Sequence, residues 1–264
     1  MFRFSCPLIV YCWLIISAVA TAQDGRPEVV LIRGGAGYWP GVSALSQELS
    51  DHGFSPRVIM GVTHSIHARS IADQYLAGQR SGPVTIIGYS SGADYACRMS
   101  RLLGERGVPV STLVLIESTL GTAVPNNVDY CVNIYESRPA TDWIPVFRGV
   151  PVQATNSQTN LLNLDSRANG DLQWMTEYNH FTVVSNSQSH VMLRNLLQLR
   201  QSQQSQPVLP APSESLLPPP PPLPPPSPPP EQLSAVPQTA LPTGYRATPK
   251  SRLRTLFRPS QTAY

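Results

Sequence analysis

The sequence predicts an α/β fold, a mainly parallel sheet with helices on both faces, and two observations carry that prediction. Short runs such as Val84-Thr85-Ile86-Ile87 and Leu113-Val114-Leu115-Ile116 are apolar at consecutive positions, so both faces of each strand need cover. Between such runs lie stretches whose apolar residues recur at helical spacing, and strands alternating with helices build a parallel sheet.

Glu28 to Ile32 reads as the first strand, stopped by Gly34-Gly35-Ala36-Gly37. Gly41 to Gly53 is helical, with Val42, Leu45 and Leu49 on one side and a glycine as its stop. Pro56 to Met60 is the next strand. Ile66 to Ala77 is the next helix, with Ile71, Tyr75 and Leu76 as its apolar side. Val84 to Ile87 is a buried strand, Ser91 to Leu103 a helix, and Thr112 to Ile116 and Cys131 to Tyr135 are strands. Pro151 to Ala154 is expected to begin a last strand. Ser189 to Leu199, through Val191, Leu193, Leu196 and Leu197, closes the body as a helix.

The two ends differ in kind from this body. Met1 to Ala22 combine an early positive charge at Arg3, an apolar run from Pro7 to Ala20, and small residues at Ala18, Ala20 and Ala22. That is the layout of a secretory signal, with the mature chain expected to begin at Thr21 or Gln23. The run is too short for a membrane span, which disfavours an uncleaved anchor. From Gln201 to Tyr264 the chain turns Gln/Ser-rich, then proline-rich between Pro218 and Pro230, then basic. Proline fixes φ and lacks a backbone donor, so this tail is expected to be an extended, solvated spacer or partner ligand. The tail accounts for the chain's formal net charge of +3, which leaves the body balanced. Nothing in that balance points to nucleic acid. Residues 23–200 remain as one domain with one sizeable core. Of its two cysteines, Cys97 and Cys131, the favoured reading is a pair of buried free thiols, with a disulfide as the alternative. The signal implies a secreted or periplasmic destination.

The chemistry centres on Gly88-Tyr89-Ser90-Ser91-Gly92, which follows a buried strand and precedes a helix. In that setting the pattern is a nucleophile elbow. Gly88 and Gly92 flank a turn where side chains would collide with a neighbouring strand or helix, and the turn lifts the Ser90 hydroxyl above the sheet. A serine hydroxyl needs a base. Chain order in such folds is serine, acid, histidine, which removes His52, His64 and His67 and leaves His180 ahead of His190. His180 falls in the loop before the last helix, where Phe181 and Val183 are expected to anchor that loop in the core. His64 and His67 lack a third ligand cluster, so no metal site is expected, and the spacings of nucleotide-binding loops are missing, so no cofactor is expected either. For the acid, Glu117 after one strand and Asp142 after the next compete, with Asp165 a poorer third.

Gly88 to Gly121, GYSSGADYACRMSRLLGERGVPVSTLVLIESTLG, and His180 to Val191, HFTVVSNSQSHV, resemble the nucleophile and histidine segments of the thioesterase domains that end polyketide and non-ribosomal peptide synthases. The resemblance implies an α/β-hydrolase fold and an acid at the end of the strand after the nucleophile helix. Leu115-Ile116-Glu117 matches that position, with Glu for the usual Asp. Asp142, at the position most other α/β-hydrolases use, stays open as the alternative. The resemblance also points to the Gly35 or Ala36 amide as partner to the Ser91 amide in an oxyanion hole. Little room remains between Leu120 and His180 for that family's helical lid, so a small or absent lid is expected.

The expected function is a secreted serine hydrolase acting on a small or lipid-like acyl ester or thioester through Ser90. The alternative is a catalytically inactive, hydrolase-shaped envelope protein whose Pro-rich and basic tail binds a partner. Tyr38, Trp39, Trp143 and Trp174 are candidates for an acyl pocket, with ordinary core packing as the other explanation for each.

Overall fold

Among the described residues six strands form, most of them short apolar, β-branched runs: β1 (Glu28–Arg33), β2 (Ser55–Met60), β3 (Val84–Tyr89), β4 (Val110–Ile116), β5 (Val128–Tyr135) and β6 (Asn160–Asp165). Four helices connect or flank them: α1 (Val42–Asp51), α2 (His64–Leu76), α3 (Ser91–Gly104) and α4 (Ser187–Gln204). The computed structural model describes residues 26–144 and 148–204. The predicted signal segment, and the tail beyond residue 204, lie outside the described residues.

All six strands are parallel, in the order β2-β1-β3-β4-β5-β6. Strand alternation splits the core into two layers. Val29 and Leu31 of β1, with Ile87 and Tyr89 of β3, pack under α1 and α4. Val30 and Ile32, with Val84 and Ile86, pack under α2 and α3. Each fully buried Leu, Ile or Val here contributes on the order of 1.5–3 kcal/mol relative to an exposed one. This is an α/β-hydrolase fold, and among the described residues no α-helix lies between β5 and β6.

The sheet reverses direction of growth between β1 and β3. After β1 the chain adds β2 on one side, then returns to place β3 on the other, and ligands on such sheets bind beyond the carboxyl ends of the strands at that switch. The glycine loop after β1 and Ser90 after β3 meet there.

The last strand departs from the sequence reading. Pro151 to Ala154 is not a strand; only Ala154 makes an isolated bridge, to Val124. The strand is Asn160–Asp165, whose largely exposed edge lacks a two-faced apolar pattern. Asn163 joins the two segments. Its Oδ1 accepts from the Val152 amide and from Asn133 Nδ2, both at 2.9 Å, and its Nδ2 donates to the Val152 carbonyl at 2.9 Å. Asn163 thus holds the 151–153 segment alongside β6. Cys97 and Cys131 are free and buried, in agreement with the favoured sequence reading.

Candidate active site

The turn after β3 is as tight as its glycines implied. A Cβ on Gly88 would lie 2.6 Å from the Ala93 Cα, and one on Gly92 would lie 2.7 Å from the Arg33 carbonyl oxygen. The first clash is with α3 and the second with β1, so both positions require glycine. Ser90 sits between them at φ 57° and ψ −131°, a left-handed conformation costing about 1–3 kcal/mol for a residue with a side chain. Its amide donates to the Ile116 carbonyl at 2.8 Å, and its carbonyl accepts from Ala93 N at 2.9 Å. The neighbouring strand and the new helix hold the turn.

His180 Nε2 lies 2.9 Å from Ser90 Oγ, and its Nδ1 lies 3.1 Å from Glu117 Oε2. A carboxylate only accepts, so Nδ1 carries the proton and Nε2 is free to accept from the Ser90 hydroxyl. Glu117 is wholly buried and His180 nearly so. The imidazole is gripped from below as well, because Tyr89 Oη donates to the His180 carbonyl and the two rings sit 5.5 Å apart. Burial, then the nearby Glu117 charge, push the Tyr89 phenol well above its ordinary range, so it remains a neutral donor.

Glu117 faces His180, whereas Asp142 Oδ2 accepts from the Arg138 amide at 2.7 Å and closes its own turn. Asp165 accepts from the Ser137 amide, 28 residues away, and from the nearby Arg167 amide. Glu117 Oε1 accepts from the Glu136 amide at 2.8 Å, and Arg138 Nη1 donates to Oε2 at 2.5 Å. Burial lowers the Arg138 affinity for its proton, but Glu117 and Glu136 outweigh it and leave the guanidinium more firmly charged than usual.

Sequence reasoning missed Arg138, which no spacing rule ties to residue 117. It also missed Asp94, a buried carboxylate on the first turn of α3. Asp94 accepts from Ser118 Oγ at 3.1 Å, Thr119 Oγ1 at 2.8 Å and Thr122 Oγ1 at 3.0 Å, and from the amides of Thr119, Leu120 and Thr122. The visible clue was the Ser118-Thr119…Thr122 cluster after an acid-bearing helix start.

A cavity of about 290 Å³ opens over Ser90, lined by Gly35, Tyr38, Tyr89, Ser91, Thr119, His180 and Phe181. Gly35 and Ser91 reach it; Ala36 does not line it and instead takes the left-handed turn at φ 52°. In that turn the amides of Gly34, Gly37 and Tyr38 bond to backbone carbonyls, and Ser91 opens a helix whose first amides have no intrahelical partner. Tyr38 Oη donates to the Phe181 carbonyl at 3.3 Å, and the two rings meet edge-on at 5.8 Å. The glycine loop and the histidine loop thus touch across the mouth.

Phe181 does not anchor its loop in the core. It is 43% exposed, and Val183 and Val184 do the anchoring. Of the other aromatic candidates, Trp39 is core, Trp143 is 76% exposed, and Trp174 packs on Tyr178. His190 is buried, and its Nδ1 lies 2.9 Å from Glu48 Oε1. His52 bonds the Glu48 carbonyl and His64 the Gly61 carbonyl. No three His, Cys, Asp or Glu side chains among the described residues cluster closely enough to hold a metal ion. A larger cavity, about 470 Å³, lies at the opposite ends of the strands, but its buried Arg80 is neutralised by Glu28 and no nucleophile–base pair adjoins it.

The parallel strand order and the strand–turn–helix around Ser90 make this an α/β-hydrolase fold. No protein-family profile matches the sequence, and no curated protein sequence matches it. Among solved structures, one from Xanthomonas campestris pv. campestris, assigned to the alpha/beta hydrolase superfamily, is 16% identical. It covers 66% of this chain and 99% of its own, with a TM-score of 0.33. RedJ, solved with a polyethylene glycol molecule in its active site, is 15% identical and covers 66% of this chain and 92% of its own, with a TM-score of 0.36.

Proposed function

We propose that this chain is a serine hydrolase that cleaves an ester or thioester through an acyl-enzyme on Ser90. The observation that carries the reading is the unbroken relay from Ser90 Oγ through both nitrogens of His180 to the buried Glu117 carboxylate. Three separate strands and loops have to cooperate to make it. A decayed site, as the envelope-scaffold alternative requires, has no reason to keep such an arrangement.

In this reading His180 Nε2 takes the Ser90 proton as Oγ attacks the acyl carbonyl, and Glu117 steadies the imidazolium. The Ser91 and Gly35 amides receive the oxyanion. The proton on Nε2 passes to the leaving alkoxide or thiolate, and water then repeats the attack to free the acid and restore Ser90. The mostly apolar cavity is at the small end of ligand sites, which run from about 300 Å³ upward, and favours a short apolar acyl group. With the signal-like N-terminus, the proposal includes action outside the cytoplasm, where free carboxylic esters are a more accessible substrate class than carrier-bound thioesters.

A fluorophosphonate probe added to the full chain tests this. The expected result is a single adduct on Ser90 that is missing in Ser90→Ala. A folded chain that takes no label would overturn the hydrolase reading and promote the scaffold one.

A further inference from the structure

We propose that Arg138 is a positioning residue for the reaction: its guanidinium clamps the Glu117 carboxylate and sets how strongly that carboxylate holds the proton on His180. This rests on the hydrolase reading. A glutamate has one more rotatable bond than an aspartate, so a carboxylate meant to meet one imidazole nitrogen needs more restraint. The restraint is visible on both oxygens. Oε1 is tied to the Glu136 amide, and Oε2 is shared between Arg138 Nη1 at 2.5 Å and His180 Nδ1 at 3.1 Å.

Arg138 is itself fixed. Its Nη2 lies 2.6 Å from Glu136 Oε2, and Glu136 Oε1 pairs with Arg167 Nη2 at 2.8 Å. Glu117, Arg138, Glu136 and Arg167 thus form a ladder of alternating charge, from the buried acid to a half-exposed arginine. A planar fork spanning two carboxylates is a task for arginine that a lysine point charge performs poorly.

The sign of the electrical effect follows from the distances. Arg138 and His180 share one carboxylate oxygen, so the guanidinium opposes the imidazolium and divides the attraction of Glu117. Glu136, on the far side, partly cancels Arg138. The other titratable groups around the pair are Tyr89 of β3, Tyr38 after β1, Asp142 after β5, Asp165 at the end of β6 and Arg167 after it. Asp94 of α3 is occupied by the 118–122 loop. Removing Arg138 lets the imidazole keep its proton to higher pH. Removing the Glu136 charge does the reverse.

The test uses the full chain as wild type, Arg138→Met, Arg138→Lys and Glu136→Gln. Turnover of p-nitrophenyl butyrate is measured from pH 5 to 9, and the His180 imidazole is titrated by NMR in parallel. In R138M the acid limb of kcat/KM is expected to move up by about one pH unit. Its kcat on the plateau should fall about tenfold while KM changes less than about twofold. R138K should keep the wild-type limb, with an intermediate kcat. E136Q should move the limb down by a few tenths of a unit.

Opposite movements in R138M and E136Q support the proposal, because a merely structural arginine would not produce them. An unmoved His180 titration in R138M, or R138M and R138K moving together, would overturn it. Should R138M not fold, the E136Q titration decides alone, an unmoved one counting against the proposal. The NMR titration needs no turnover, so an inactive wild type sinks the hydrolase reading and leaves the arginine coupling to be judged on its own result.

Discussion

Glu117 takes nearly the same positive φ as Ser90, 56° against 57°, each one residue past the end of its strand. The backbone device is the same at both. Ser90 N donates to the Ile116 carbonyl of β4, and Glu117 N donates to the Ile134 carbonyl of β5, each at 2.8 Å. The sheet spends a ladder bond on each of two strained residues and so aims both side chains at the imidazole between them. Ser90 and Glu117 are placed by adjacent strands, which fixes their separation more firmly than loops would.

Removing the charge of the acid is the direct test of that placement. Glu117→Gln is expected to lower kcat on p-nitrophenyl esters by about 10³- to 10⁴-fold, since a neutral amide neither selects the Nδ1–H tautomer nor stabilises the imidazolium. Asp142→Asn, which touches only the Arg138 amide, should stay within about twofold. A collapse of the second variant with survival of the first would move the acid to the next strand.

Gly149 adjoins the same carboxylate from outside the catalytic array. A Cβ there would come 2.9 Å from Glu117 Oε1 and 2.8 Å from the Tyr135 Cβ, and neither neighbour can retreat, because one is hydrogen-bonded and the other stands at the end of a strand. Gly149→Ala should therefore cost about 1–3 kcal/mol in a denaturant melt. It should also lower kcat about 10- to 100-fold by displacing the acid. Wild-type activity in a stable Gly149→Ala protein would contradict this account.

Asp94 supports the cavity wall in the way Arg138 supports the acid. Its carboxylate gathers the 118–122 loop, and Thr119 of that loop lines the cavity. Asp94→Asn keeps the shape but exchanges an acceptor for a donor that faces other donors, at a cost of about 1–3 kcal/mol. The expected kinetic mark is a raised KM with a smaller change in kcat. A fall in kcat at unchanged KM would instead tie Asp94 to the Ser90 turn.

Which parts of this were legible from the residues follows from how local their causes are. Strands β1, β3 and β4 are apolar on both faces, Ser90 follows β3 and His180 lies in the loop before α4, so pattern and chain order pointed to these two; Glu117, after β4, stood beside Asp142 until the family resemblance favoured it. Strand β6 escaped because it is a polar edge whose place is set by the Asn133–Asn163 pair, 30 residues apart. Arg138 lies 21 residues from the acid it holds, and Asp94 lies 24 or more from its partners. Contacts of that kind leave no period in the sequence. Phe181 was misplaced for a different reason: a large apolar residue was assigned to the core, whereas its neighbour in the fold is Tyr38 at the mouth of the cavity.

The two thiols offer a check on the core that is independent of catalysis. Burial, then the Asp94 charge, push Cys97 from 9.0 up to about 12, and burial, then Cys97, raise Cys131 well above its ordinary value. A thiol kept protonated reacts slowly, so neither should be modified by a disulfide reagent at pH 8 in the folded chain, while both should react in guanidinium. The same shifts have a consequence for stability. The folded state holds these protons more tightly than the unfolded chain, so their contribution is full below about pH 8.5 and is lost as the pH climbs toward 12. A Cys97→Ala, Cys131→Ala double variant should flatten that alkaline decline in a pH series of melts. A decline equally steep in the variant would assign it to groups other than the thiols.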